Sequence, residues 1–116
     1  MVPGELVRTI IEHCWSDPTG MDRMATLVHV DYVHHTPFGD GDIATFRHGL
    51  EYVDTAYSER RYRVVHVIEQ LPLVAAYLTW TATRRSDGSP ITGAGAYHCR
   101  LLDGLVIEDW DVFFPV

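Results

Sequence analysis

One stretch decides how the C-terminal part of this chain folds: Leu102-Asp103-Gly104-Leu105-Val106-Ile107-Glu108-Asp109-Trp110-Asp111-Val112. Asp103-Gly104 lies between two apolar runs, which predicts a two-residue hairpin turn because both central positions of such a turn need a positive φ. The strand that leaves the turn carries acids on both sides of Trp110. Because an ionised carboxylate out of water is costly unless it is paired, these acids are candidate functional groups.

A second cluster, Tyr32-Val33-His34-His35-Thr36-Pro37, supplies imidazoles that could pair with the acids of the hairpin. Acid and histidine beside a hydrophobic wall are the components of general acid–base chemistry. The two segments together therefore mark a candidate active site.

The rest of the chain divides into helices first and strands afterwards. Apolar residues at helical spacing predict helices over 6–15, 21–27 and 43–57, with Asp42 as the N-cap of the third. Residues 28–35 read as extended, and 38–42 as a loop. Alternation with a period of two predicts strands over 62–70, 73–85, 91–102 and 105–114. The short links between them favour antiparallel neighbours, so the pattern indicates one α+β domain over residues 1–116.

Composition excludes several classes of partner. The 116 residues carry a formal net charge of −7, and the few basic residues form no stripe, which argues against nucleic acid or an anionic membrane. No signal peptide is visible, and the longest apolar run, 71–78, is far below the about 20 residues that span a bilayer. We therefore expect a cytoplasmic protein, with Cys14 and Cys99 as buried, reduced thiols.

The two clusters resemble those of a known family. The Tyr32 to Pro37 segment is similar to the Tyr-x-x-His-x-Pro segment of the SnoaL-like polyketide cyclase family, in the nuclear transport factor 2-like superfamily. The chain's ending from Arg100 to Val112 is similar to that family's Arg-x-x-(Asp/Asn)-Gly-x-Ile-x-Glu-His-Trp-Asp-Val ending. The resemblance implies a cone-shaped α+β barrel: a curved, mostly antiparallel sheet with three N-terminal helices packed on its concave face around a deep apolar pocket.

The same resemblance implies dimers, here a homodimer through the sheet, and enzymes that use side chains rather than cofactors. Relatives include polyketide cyclases, ketosteroid isomerases, limonene-epoxide hydrolases and dehydratases. His35 matches the family's motif histidine, and Asp111 matches the aspartate after the motif tryptophan. The chain departs from the pattern at Asp109, where histidine is common, and at Phe114, where the cyclases carry an acid.

Pairing Leu102 with Leu105 across the turn would set His98 opposite Asp109 on one face of the hairpin, with Asp111 diagonal to His98. A single β-bulge would exchange the faces. We therefore expect His35, Asp111 and His98 as catalytic residues, and His34 at the surface. The expected pocket residues, of which the tyrosines 32, 77 and 97 are candidate donors to an oxyanion, are Trp15, Tyr32, Phe46, Tyr77, Trp80, Tyr97 and Trp110. No metal ligand spacing is present.

These residues favour a cofactor-independent enzyme on a small hydrophobic molecule, polyketide- or terpenoid-like, that carries out acid–base catalysed cyclisation, isomerisation or dehydration. An epoxide hydrolase of the limonene-epoxide type, a small-molecule binding protein without catalysis, and a dimerising scaffold remain alternatives. Phe114 in place of an acid favours the binding protein, and a pocket filled by its own aromatic side chains would favour the scaffold.

Overall fold

The computed structural model describes residues 1–116 and has an α+β architecture built on one curved sheet. The helices are α1 (Pro3–Thr9), which continues as a π-helical segment (Ile10–Cys14), α2 (Gly20–Ala25) and α3 (Ile43–Ala56). The strands are β1 (Val28–Thr36), β2 (Gly39–Gly41), β3 (Tyr57–Gln70), β4 (Leu73–Arg84), β5 (Pro90–Leu102) and β6 (Leu105–Pro115). The predicted fold class, with its mostly antiparallel sheet and three helices, is confirmed.

The sheet is open and does not close into the expected barrel. Its strand order is β2-β1-β6-β5-β4-β3, in which β1–β6 is the parallel pair and the other neighbours are antiparallel. Helix α3 connects β2 to β3 and contacts both edge strands. A helix therefore occupies the place where a barrel would need a strand-to-strand pair.

The apolar stripe of the N-terminal helices forms the centre of the core. Leu6, Val7, Ile10, Ile11 and Cys14 are all at most 2% exposed, and they pack in one cluster with the inward side chains of the sheet. The end of the π-helical segment lies directly against the start of α2, where a Cβ on Gly20 would stand 2.4 Å from the carbonyl oxygen of Cys14. Both cysteines are buried free thiols, as predicted.

Strand β3 begins five residues earlier than the alternation predicts, and the segment predicted as a loop contains the short strand β2. Tyr57 and Ser58 pair with β4 before a register shift, and this irregularity hides the start of the strand from a period of two. Helix α3 ends one residue before its predicted limit, and the Asp42 carboxylate accepts a hydrogen bond from the Thr45 N–H, as expected of an N-cap.

The C-terminal hairpin has the predicted turn but not the predicted pairing. Asp103 and Gly104 have φ values of 55° and 77°, and Leu102 pairs with Leu105. The register then shifts, because Arg100 pairs with Glu108 while Leu101 pairs with Val106, which leaves Ile107 as an extra residue in β6. This β-bulge reverses the face on which each later side chain lies.

The predicted pairing of His98 with Asp109 is therefore wrong. Cys99 pairs with Asp109, and His98 pairs with Trp110. Asp109 is fully buried and faces the helices, whereas His98 is exposed on the other surface of the sheet, which we call the outer face. None of the helices in the structure is both long and apolar enough to cross a membrane.

Candidate active site

Strands β1 and β6 bring an imidazole and two carboxylates to the concave side of the sheet. His34 and Asp109 are neighbours in the parallel pairing of β1 and β6. Asp111 follows two residues later on the same face, opposite Tyr97 of β5. These side chains meet where the parallel pair joins the antiparallel part of the sheet.

Asp109 is the structural centre of this group. Its carboxylate accepts hydrogen bonds from the Tyr32 hydroxyl at 2.8 and 2.9 Å and from the Tyr97 hydroxyl at 2.9 Å. Burial, followed by the charge of Asp109, raises the pKa of both phenols well above the ordinary value of 10, so both remain protonated donors. Their hydroxyl protons are directed at Asp109, which leaves neither phenol as the oxyanion donor expected from the sequence.

His34 is the third partner of Asp109, and its interpretation as a surface residue is wrong. The side chain is 8% exposed, and Nδ1 lies 2.6 Å from Asp109 Oδ1. Because a carboxylate can only accept, Nδ1 carries the proton and the Nε2 atom faces the other way. Nε2 lies 3.7 Å from Asp111 Oδ2, and the Phe46 ring packs on the imidazole with a centroid distance of 4.1 Å.

Asp111 is the acid of the group that borders open space. Its side chain is 10% exposed and it has no hydrogen-bond donor of its own in the protein. Burial raises its pKa from 3.8 to about 6; His34 opposes this rise and Asp109 adds to it. A carboxyl group with a pKa near 6 can take up and release a proton close to neutral pH.

The cavity beside Asp111 measures about 930 Å³, which is large enough for a drug-sized molecule. Most of its lining is hydrophobic. It lies between helix α3, the end of the π-helical segment and the inward faces of strands β3, β4 and β6. The acidic and basic side chains on its wall are His34, Asp111 and Arg60, and Tyr52, Tyr57 and Tyr62 add phenol groups. The cavity is thus an apolar chamber with an acid–base pair at one place and a cation at another.

The structure places only part of the predicted site at this cavity. Trp15, Phe46 and Trp80 line it together with Asp111. Tyr32 and Tyr97 are buried behind the cavity wall as partners of Asp109. Tyr77, Trp110, His98 and His35 do not line the cavity.

His35 and His98 lie instead on the outer face, where they stack on the two sides of the Trp110 indole. The ring centroids are 4.8 Å apart for His35 and 4.5 Å for His98. His35 also bridges Asp40 and Glu108, and its hydrogen bonds to these carboxylates raise its pKa. The alternation of β1 explains the difference, because a strand that turns Tyr32 inward also turns His34 inward and His35 outward.

Two basic side chains at the cavity, His34 and Arg60, are not predicted from the sequence. For His34 the signal exists, since an inward Tyr32 implies an inward residue two positions later. For Arg60 no signal exists, because its direction is set by a register shift in β3. No group of three or more His, Cys, Asp or Glu side chains is arranged to hold a metal ion.

The family follows from the sequence as a whole. The sequence model of the SnoaL-like domain matches residues 7–109. The chain belongs to the SnoaL-like domain family. The resemblance seen in the two motifs is therefore confirmed, and no curated protein matches the chain.

Solved structures share the fold of this SnoaL-like chain at low sequence identity. IdmH from Streptomyces antibioticus, named as a proposed polyketide cyclase, superposes with a TM-score of 0.85 at 15% identity over 97% of this chain and 92% of its own. AclR from Streptomyces galilaeus, named as a proposed hydroxylase, has a TM-score of 0.80 at 20% identity over 96% and 87%. A protein from Catenulispora acidiphila with a ketosteroid isomerase-like fold, solved with trimethylamine, gives 0.78 at 14% over 97% and 86%. At these identities the likeness shows the fold.

Proposed function

We propose that this SnoaL-like protein is a cofactor-independent enzyme that moves a proton on a small, largely apolar molecule. The observation that carries the proposal is the Asp111 carboxyl, buried at the wall of a 930 Å³ cavity with His34 Nε2 at 3.7 Å. A group that must lose a proton to act near neutral pH needs a pKa close to that pH, and burial gives Asp111 such a value.

The reaction begins when the Asp111 carboxylate removes a proton from a carbon next to a carbonyl group. The C–H electron pair moves to the carbonyl oxygen and forms an enolate, while Asp111 becomes the neutral acid. Return of the proton to another carbon isomerises the substrate. Attack of the enolate on a second carbonyl carbon closes a ring, and the alkoxide that forms takes the proton back from Asp111. Loss of a β-hydroxyl group, protonated by the acid, gives dehydration with release of water.

His34 and Asp109 support this proton transfer from behind. Asp109 holds the Nδ1–H of His34, so the imidazole presents Nε2 to the cavity in one tautomer. Nε2 is close enough to Asp111 to exchange a proton with it through small movements or one bridging group. The two tyrosines fix Asp109 in turn. The arrangement resembles the acid–base–orienter chain found at many active sites.

Proton abstraction can be measured without knowing the natural substrate. 5-Nitrobenzisoxazole is uncharged and apolar, and it opens to a coloured phenolate when a base removes one C–H proton. We expect the protein to accelerate this reaction with a rate that rises through an apparent pKa near 6 and is constant above it, since Asp111 must be ionised. The matched control is Asp31→Asn, an exposed acid on β1, which should leave the profile unchanged.

If the protein does not accelerate the reaction over buffer, the enzyme hypothesis is contradicted and the binding-protein hypothesis remains. The protein would then be a binding protein if it bound a neutral aromatic ketone, measured by fluorescence, without converting it. Phe114 is the feature that favours this alternative, because no second acid stands at its position. An epoxide substrate would use the same acid to activate water, and its product would be a diol.

We also propose that two copies of the chain associate through the outer face. Large apolar side chains on this face are 44–68% exposed: Ile68, Leu73, Tyr77, Val112 and Phe114, the last two of which also border the cavity. Ala96 lies at the centre, paired with Tyr77 on one side and Val112 on the other. Clustered exposed apolar groups of this kind mark interaction surfaces.

Replacing Ala96 with arginine tests this association. A buried, unpaired charge at the centre of an interface opposes assembly, so we expect the mass from light scattering to fall from that of a dimer to that of a monomer. Glu51→Arg on α3 is the control and should leave the mass unchanged. If the wild-type protein is still a monomer at about ten times the concentration used in the light-scattering measurement, the proposal is contradicted.

A further inference from the structure

Strand β3 carries a strained β-bulge beside the cavity. Ser58 pairs with Thr83 and Arg61 with Thr81, so Glu59 and Arg60 together oppose one residue of β4. Glu59 has a φ of 52°, in the left-handed region that residues with a Cβ adopt at a conformational cost. Bulges re-aim side chains, and here the Arg60 side chain lies at the cavity wall although the residue is only 5% exposed.

One nitrogen of the Arg60 guanidinium is anchored and two are not. Nη1 donates to the carbonyl oxygen of Trp15 at 2.7 Å and to the Tyr62 hydroxyl at 3.1 Å. Nε and Nη2 are buried and have no hydrogen-bond partner in the protein. Asp54 Oδ1 stands 3.6 Å from Nη2, too far for a hydrogen bond but close enough for an ion pair, and it forms a second ion pair at 3.6 Å with Nη2 of Arg85.

The two nitrogens without a hydrogen bond lie on one edge of the guanidinium. Nε–H and one N–H of Nη2 point in parallel from the same side of the planar guanidinium, and this pair matches the two oxygens of a carboxylate. The anchor on Nη1 fixes the plane of the group. A buried donor without a partner is costly, and the cost disappears when an acceptor fills the edge.

The surroundings restrict what that acceptor can be. The wall near Arg60 is aromatic, with Trp15, Tyr62 and Phe113 in ring contact with one another. The Trp15 indole Nε1 is a further buried donor without a partner. On the other side of Trp15 and Phe46 lies the acid–base pair of His34 and Asp111, which repels a second carboxylate.

We propose that Arg60 binds the carboxylate of an amphipathic acid, in which a planar or polycyclic apolar body fills the cavity. The parallel pair Nε and Nη2 would hold both carboxylate oxygens in place of the longer ion pair between Nη2 and Asp54, and the body would extend along Trp15 and Phe46 toward Asp111. The binding of the carboxylate depends only on Arg60. Its consequence, that the substrate is an organic acid held with its reacting carbon at Asp111, rests on the proposed acid–base function.

Paired ligands that differ in charge test the inference. 2-Naphthoate and 2-naphthamide have the same ring system, and isothermal titration at pH 7.5 compares their affinities. Because charge-assisted, bidentate hydrogen bonds form with the acid alone, we expect wild-type protein to prefer naphthoate by about tenfold or more. Arg60→Met should abolish the preference, and Arg60→Lys, which keeps the charge and loses the planar edge, should retain a smaller one. Equal affinities in wild type, or an unchanged preference in Arg60→Met, would overturn it.

A measurement on the unmutated protein covers the case in which Arg60 variants do not fold. In protein labelled with ¹⁵N-arginine, naphthoate should move one Nε–H resonance strongly and naphthamide should not; no selective shift would overturn the inference. Asp54→Asn is the control for the nearest acid of the chain, and the preference for naphthoate should persist in it. Loss of the preference in Asp54→Asn would also count against Arg60 as the binding group.

The outcomes separate this inference from the proposed function. If Arg60 binds no carboxylate, the ligand preference is absent while the Asp111-dependent opening of 5-nitrobenzisoxazole remains. If the acid–base function fails, Asp111→Asn matches wild type in that reaction, whereas the preference for naphthoate and its loss in Arg60→Met remain.

Discussion

Replacing Asp111 with asparagine is expected to lower the rate of 5-nitrobenzisoxazole opening by about 10²–10⁴-fold, the usual contribution of a positioned general base. The amide has nearly the same shape but cannot accept a proton near neutral pH. The measurement is kcat/KM from the phenolate absorbance at pH 7.5. A loss of less than about tenfold would show that Asp111 is not the base.

The same substitution is expected to stabilise the fold, which separates a lost base from a damaged structure. The pKa of Asp111 is about 6 in the folded protein and near 3.8 when exposed to water. The folded state therefore binds this proton more tightly, so the carboxyl costs no stability below about pH 4 and costs progressively more as the pH rises to about 6. At pH 7.5 the difference corresponds to a few kcal/mol, and we expect Asp111→Asn to gain about 1–3 kcal/mol.

Chemical denaturation at two pH values checks this second effect. The gain in the free energy of unfolding should be present at pH 7.5 and should vanish near pH 4, where wild-type Asp111 is protonated as well. A variant that is destabilised at pH 7.5 would mean that the carboxylate is required for folding rather than held at a cost.

Replacing Asp109 with alanine is expected to have the opposite effect on stability, with a loss of about 3–5 kcal/mol. The carboxylate is 0% exposed and accepts from Tyr32, Tyr97 and His34. Its removal leaves three buried donors without an acceptor and a space between them. A loss of this size is a large part of the stability of an ordinary domain, so the midpoint of thermal unfolding should fall by well over 10 °C.

The control for this variant is Asp31→Ala, in which the acid is 78% exposed on the same sheet. Substitutions at such sites change stability by about 0.5 kcal/mol or less. If Asp109→Ala lost no more than the control, the three hydrogen bonds would contribute little, and another group would have to orient His34.

The sequence predicts the elements of this fold well because most of its signals are local. The φ requirement of Asp103-Gly104 defines the turn, the Asp42 cap starts α3, and apolar spacing marks the helices. Closure of the sheet is not local, since it depends on how β2 and β3 meet α3 across the molecule. For that reason the sequence does not indicate that the sheet of this confirmed fold class stays open.

The site is predicted in part, and the errors share one cause. Asp111 borders the cavity, and the sequence singles it out because an acid before an apolar strand end is unusual; the imidazole beside it is His34 rather than His35 or His98. Each error exchanges a residue with one on the opposite face of a strand. Val106 and Ile107 suit either register equally well, so nothing in their chemistry indicates that one of them is an extra residue.

Because of the extra residue in β6, the number of residues in the strand decides which side chains face the interior as much as their chemical type does. In a regular ladder, with Ile107 opposite Arg100, Trp110 would face inward and both Asp109 and Asp111 would face the outer surface. A design that grafts Asp109 and Asp111 onto another sheet must therefore include the β-bulge. A sequence alignment with a relative must place the bulge correctly before the two acids can be compared.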